Sequence, residues 1–200
     1  MTLDLSADTV SSSYRERLIE HVFVGEVLRE LWLSGVSEVE VLRSEVDGSG
    51  YDLVLECRSI VRHVQIKAAR LGGRRANVGV NIKLAAKPSG CIIWIYFDPV
   101  AMSLREFFWF GGAPGEPLPL PADLKVGKHS KGDSTGHKAE RPNIRVVPKG
   151  RFDRIETVAG VVQRLFGVVK EPVVGVDTVR KQPNKRLQPA AAGLTMSRRG

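Results

Sequence analysis

The chain has 200 residues, 42% hydrophobic and 26% charged, which is the balance of an ordinary folded chain long enough to bury a core. Its two cysteines, Cys57 and Cys91, exclude a disulfide framework and a Cys-rich zinc site, and the composition excludes collagen-like and fully disordered chains. The net charge of +8 points to a polyanionic partner, and half of that excess falls in residues 171–200, where six basic residues stand against two acidic ones.

Residues Ser13 to Leu33 are predicted to form a helix. Leu18, Val22, Val27, Leu28 and Leu31 recur at spacings near three and four, Ser11 to Ser13 supply caps, and Ser34-Gly35 stops the helix. Val39, Val41 and Val46 then alternate with polar residues, DGSG (47–50) turns the chain, and YDLVLEC (51–57) alternates again, which predicts a hairpin. After a basic stretch from Arg58 to Arg62, HVQIKAA (63–69) reads as a third strand. Gly72 to Arg75 is a basic loop, and Ala76 to Ala86 reads as a further strand. CIIWIYFD (91–98) has almost no polar side chain before its last residue, which marks a strand buried on both faces and the centre of the core.

Leu104 to Phe110 reads as a short strand or helix end; its FFWF run offers base stacking or, more simply, packing under the Gly/Pro-rich segment that follows. Lys125 to Arg141 is a polar loop whose His129 and His137 lack the neighbouring cysteines of a zinc site. Asn143 to Val147 reads as a short strand, and Asp153 to Phe166 as a closing helix with Gly167 behind it. Residues 171–200, rich in Pro, Ala and Arg without any period, are predicted to be a disordered basic tail behind a single α/β domain of residues 1–170. The acidic start MTLDLSADTV is unlike a signal peptide, and the longest strongly apolar run is far short of the ~20 residues that cross a bilayer. The expectation is therefore a cytoplasmic protein with no membrane role.

Polar residues stand in three places where packing would accept something apolar: Glu26 in the first helix, Asp52 opening the second strand, and Gln65-Ile66-Lys67 in the third. Period two sets Gln65 and Lys67 on one face. An acid, a second acid or amide, and a lysine in this order suit phosphodiester hydrolysis: carboxylates hold Mg²⁺, the ion polarises the phosphate and acidifies a water, and the lysine balances developing charge. Singly, each has a plainer reading. Asp52 ends a turn after Gly48-Ser49-Gly50, and Gln65 and Lys67 line the wet face of a half-buried strand.

The series GEVLRELWLSG (25–35), GYDLVLE (50–56) and VQIKAA (64–69) resembles the restriction-endonuclease-like superfamily, the PD-(D/E)xK nucleases, in particular a bacterial branch whose motifs read GE, YDL and VQVK. The resemblance covers about the first 70 residues. It implies a central mixed β-sheet flanked by helices, acting with Mg²⁺ (or Mn²⁺) on nucleic acid, DNA rather than RNA. It further implies that Glu26 is the helix acid, Asp52 the strand acid that defines the metal site, Gln65 the position usually held by Asp or Glu, and Lys67 the lysine, with Glu56 as a reserve ligand. Tyr51 replaces the proline of the pattern, and Gln65 offers a neutral amide oxygen, a weaker Mg²⁺ ligand than a carboxylate. Arg58, Arg62, Arg70, Arg74 and Arg75 surround the third strand and are expected to contact phosphates. The alternative is a domain of the same fold, catalytically weak or inactive, that binds nucleic acid or a protein partner.

Overall fold

The computed structural model describes residues 12–44, 48–132 and 134–167; Ser11, Val46 and the predicted tail lie outside the described residues. Helix α1 (Ser12–Leu33) buries Ile19, Phe23, Val27 and Leu31, one residue per turn, together with Val24 and Glu20. This stripe is rotated from the expected face. Leu28 is exposed, as are Tyr14, Trp32 and Leu33, so apolar residues stand on both sides of the helix and blur its period.

An antiparallel meander follows: β1 (Val39–Arg43), β2 (Leu53–Cys57) and β3 (Ile60–Arg70). The chain then leaves the sheet through β4 (Asn77–Asn81) and a 3-10 turn (Ile82–Ala86) and returns as β5 (Gly90–Phe97), parallel to β3. The predicted strand 76–86 is thus cut short, because the Asn81 side chain accepts the Lys83 N–H at 3.1 Å and starts the turn. Next come β6 (Leu104–Gly111), β7 (Val126–Lys128), β8 (Glu140–Pro148) and a 3-10 turn (Lys149–Arg151). The chain closes with β9 (Asp153–Ile155) and α2 (Val158–Phe166). Two expectations change here. The polar stretch 125–141 contributes β7 and the start of β8, and the closing helix begins only at Val158, where Thr157 caps it by accepting the Gly160 N–H at 3.1 Å.

The strands form a mixed six-stranded sheet, ordered β1-β2-β3-β5-β6-β9, and a three-stranded sheet, β4-β8-β7. Every residue of β5 is buried. Its Cys91, Ile93, Ile95 and Phe97 pack beneath both helices, while Ile92, Trp94 and Tyr96 pack against Val78, Val80 and Val147 of the small sheet. The described residues are therefore α/β in three layers: two helices, the large sheet, the small sheet. Helices cover one face of the large sheet and the small sheet covers the other, in place of the helices expected on both sides. The insertion after β3 is a strand and a short turn, and no long amphipathic period was there to build a crossover helix.

Candidate active site at the junction of the two sheets

Strand β3 outruns β2. Its residues 60–64 pair with β2, whereas residues 63–70 pair with β5 on the other side. Asp52 caps the uncovered edge: its backbone N–H donates to the Val64 carbonyl at 2.9 Å, and its Oδ2 accepts the Ile66 N–H at 2.6 Å. Further along, Arg75 Nη1 donates to the Ala68 carbonyl at 3.4 Å. A cavity of about 590 Å³ opens at this edge, between the amino-terminal turns of α1, the end of β3 and the small sheet. Asp52 and Lys67 both line it, with Glu16, Arg17 and Glu20 from α1, Arg75 from the basic loop, and Arg141 from β8.

Gln65 lies directly across from Asp52, between the two residues whose backbone Asp52 binds. It is 6% exposed and does not line the cavity; it lies on the strand face it shares with Lys67, and its Oε1 has no hydrogen-bond partner. A buried amide oxygen left unsatisfied is an acceptor in need of a cation or a donor.

The α1 acids divide by role. Glu20 is buried and holds Arg43 Nε at 2.7 Å and Arg17 Nη1 at 3.4 Å, which ties the helix to β1. Glu16, one turn earlier, is exposed at the cavity. Glu26 is not part of the site. It lies roughly 9 Å beyond Glu20 and about 15 Å beyond Glu16 along the axis, and it binds Arg29 Nη2 at 2.8 Å. That pairing holds the Arg29 guanidinium above its ordinary pKa. Glu56 stands opposite Glu40 near the far end of β2 and does not line the cavity, so it is no reserve ligand.

Of the five arginines expected at phosphates, Arg75 alone lines the cavity. Arg58 occupies the β2–β3 turn, roughly 25 Å along the strand from Lys67. Arg62 is 0% exposed: Nη2 donates to the Gly112 carbonyl at 3.0 Å, the guanidinium lies 5.1 Å from the Trp109 ring, and Nε and Nη1 have no hydrogen-bond partner. Sealed in the core, it cannot meet a phosphate. Arg70 ends β3 and Arg74 sits exposed in the next loop, both outside the cavity wall.

Beside Arg62, burial pushes the Cys91 thiol up to about 12, against a weaker opposite pull from Arg62, so it stays protonated and is no nucleophile. The FFWF run is core: Phe107 and Trp109 pack on the helix side, Phe108 and Phe110 on the small-sheet side. No group of three His, Cys, Asp or Glu side chains that could hold a metal occurs among the described residues. No helix among them is long and apolar enough to cross a membrane.

Sequence reasoning missed Glu16, Arg17 and Arg141. The first two had a partial signal, since a helix entering a sheet end-on presents its first turns to the strand ends, and Glu26 sits too far along. Arg141 had none, because only the fold of the small sheet brings it back. No family model, curated protein or solved structure matches the chain.

Proposed function

We propose that the chain is a Mg²⁺-dependent nuclease of the PD-(D/E)xK type that hydrolyses nucleic-acid phosphodiesters, those of DNA first. One observation carries the reading: Asp52 and Lys67 share a cavity, with Gln65 directly across from Asp52. The mixed sheet with its parallel β3–β5 pair agrees with the architecture that the resemblance implies, and the small sheet in place of one helical layer departs from it.

Mg²⁺ keeps several waters and takes only one or two protein carboxylates, so a single carboxylate and an orphaned amide oxygen are an adequate protein contribution. Asp52 and Gln65 would hold the ion, in place of the Glu26, Asp52 and Gln65 of the resemblance. Bound there, it would supply a polarised phosphate and a water of lowered pKa. The rest of the work belongs to side chains. Arg17, Arg75 and Arg141 ring the cavity with positive charge and hold a phosphate; the Lys67 ammonium neutralises charge developing on it. The Ile66 N–H fixes the Asp52 carboxylate in orientation.

The test is cleavage of plasmid DNA by the purified chain in Mg²⁺. Asp52→Asn keeps an acceptor for the Ile66 N–H, so the fold survives, and cleavage falls by at least about 100-fold; Lys67→Ala loses a similar factor. Unchanged cleavage in either variant refutes the reading. A second reading, a non-catalytic nucleic-acid-binding domain, is favoured by the engagement of Glu20 with two arginines, which occupies one of the two α1 carboxylates that line the cavity. It predicts salt-sensitive DNA binding with no rise in melting temperature on adding Mg²⁺ or Mn²⁺.

A further inference from the structure

The cavity is not the end of the basic surface. A second groove, of about 340 Å³, runs along the small sheet where β4 ends and β8 begins, and Arg141 lines both. Its wall also carries Lys83, His129, Asn81, Asn143 and one acid, Glu140. The Lys83 ammonium donates to the Gly48 carbonyl at 3.0 Å, which fixes its position and leaves two further donors. The floor is low because Ile144 has glycines on both sides: a Cβ at Gly79 or Gly127 would meet Ile144 Cγ2 at 3.0 or 2.7 Å. On the groove itself Lys83 and Arg141 outnumber Glu140. From Lys125 to Arg145 the chain carries six lysines and arginines against Asp133 and Glu140.

We propose that this groove is an extended nucleic-acid subsite: the sugar-phosphate backbone of the strand whose phosphate enters the cavity continues past Arg141, lies against Lys83 and leaves the groove toward Lys128, which is exposed at the end of β7, outside the groove wall and across from Glu140. The groove makes phosphate contacts only, so it adds affinity and register without sequence preference. The proposal rests on the nuclease reading for what occupies the cavity, and it is tested without cleavage.

Fluorescence anisotropy in EDTA measures binding of the full chain to labelled single-stranded oligodeoxynucleotides of 4 and 20 nucleotides. The variant Lys83→Ala/Lys128→Ala weakens binding of the 20-mer about tenfold and lowers its salt slope by roughly 1.4, the loss of two phosphate contacts at ~0.7 each. The 4-mer, confined to the cavity, binds as before. Lys83→Arg/Lys128→Arg keeps the charge and retains 20-mer affinity, which separates loss of contact from loss of fold. Equal weakening for both lengths, no weakening for either, or displacement of the 20-mer by polyglutamate as readily as by unlabelled DNA of equal charge would each overturn the proposal. Length-dependent binding in a chain that never cleaves DNA in Mg²⁺ sinks the nuclease reading and keeps the groove; cleavage with unaltered 20-mer binding in the alanine variant does the reverse.

Discussion

Arg62 is a cation closed inside the protein, held by a hydrogen bond to the Gly112 carbonyl, by the neighbouring Cys91 thiol and by the aromatic face of Trp109. Its unsatisfied Nε–H and Nη1–H are each a buried donor costing about 1–3 kcal/mol in lost hydration. Those costs offset the ~2 kcal/mol a desolvated cation–π contact contributes and the roughly 1 kcal/mol of the remaining hydrogen bond. Arg62→Met keeps the long apolar stem and removes the orphan donors, so it shifts the free energy of unfolding by less than about 1 kcal/mol. Arg62→Ala also empties the site and destabilises by about 2–4 kcal/mol. Chemical denaturation of the two variants decides the matter, since equal losses would mean that the charge itself is required. The burial of this arginine was open to a reader of the sequence. Arg62, Val64, Ile66 and Ala68 share one face of β3 by period two, and three apolar residues on a face predict that the fourth points inward as well. Reading Arg62 with its chain neighbours, as part of a basic run, concealed this. Asp52 and Lys67, picked out as polar residues where packing would accept something apolar, line one cavity; Glu26 was chosen by motif alone, and the axial rise of the helix takes it away from that cavity.

At the scale of elements, the β2–β3 connection is a two-residue turn with both residues in left-handed conformation, φ +48° at Arg58 and +65° at Ser59. Such turns match the twist of the flanking strands and favour Asn-Gly, whereas Arg and Ser are strained there. Arg58→Asn/Ser59→Gly therefore stabilises the chain by about 1 kcal/mol, read as a raised midpoint in a urea titration with unchanged slope. Because the turn is at the opposite end of β3 from the cavity, nucleic-acid affinity stays as it was. A drop in affinity would restore Arg58 to the interface. Strands with strong local signals, β2, β3 and β5, were all visible in the sequence, since alternation or an unbroken apolar run sets them apart. The two short strands that the sequence did not show, β7 and β9, have three residues each. Their pairing is decided by partners elsewhere in the chain: β7 by β8, β9 by β6. No window of sequence contains that information, and α1 was rotated because its outer face is almost as apolar as its inner one.

For the molecule as a whole, the consequence of three layers is that both cores share the strands β5 and β6. Trp94 of β5 faces the small sheet, and Trp109 of β6 faces the helices. Lys149 fastens the small sheet down: its backbone N–H donates to the Ala76 carbonyl at 2.9 Å, and its Nζ lies 4.2 Å from the ring centroids of both Tyr96 and Phe108 and 5.9 Å from that of Trp94. Lys149 is half-buried over these rings, and losing the cation costs about 1–2 kcal/mol. Lys149→Met keeps the stem and removes the charge, which for a chain of this size lowers the melting temperature by roughly 2–8 °C. The location of that loss tests the architecture. Trp94→Phe leaves Trp109 as the buried reporter on the helix side, and Trp109→Phe leaves Trp94 on the small-sheet side. If the sheets share a core and unfold as one unit, adding Lys149→Met moves the fluorescence transition equally in both backgrounds, and far-UV circular dichroism moves with it. A shift confined to the Trp94 reporter would show that the small sheet melts alone. The cavity would then be bounded on one side by a separable lid, because Val78, Gly79 and Arg141 all belong to that sheet.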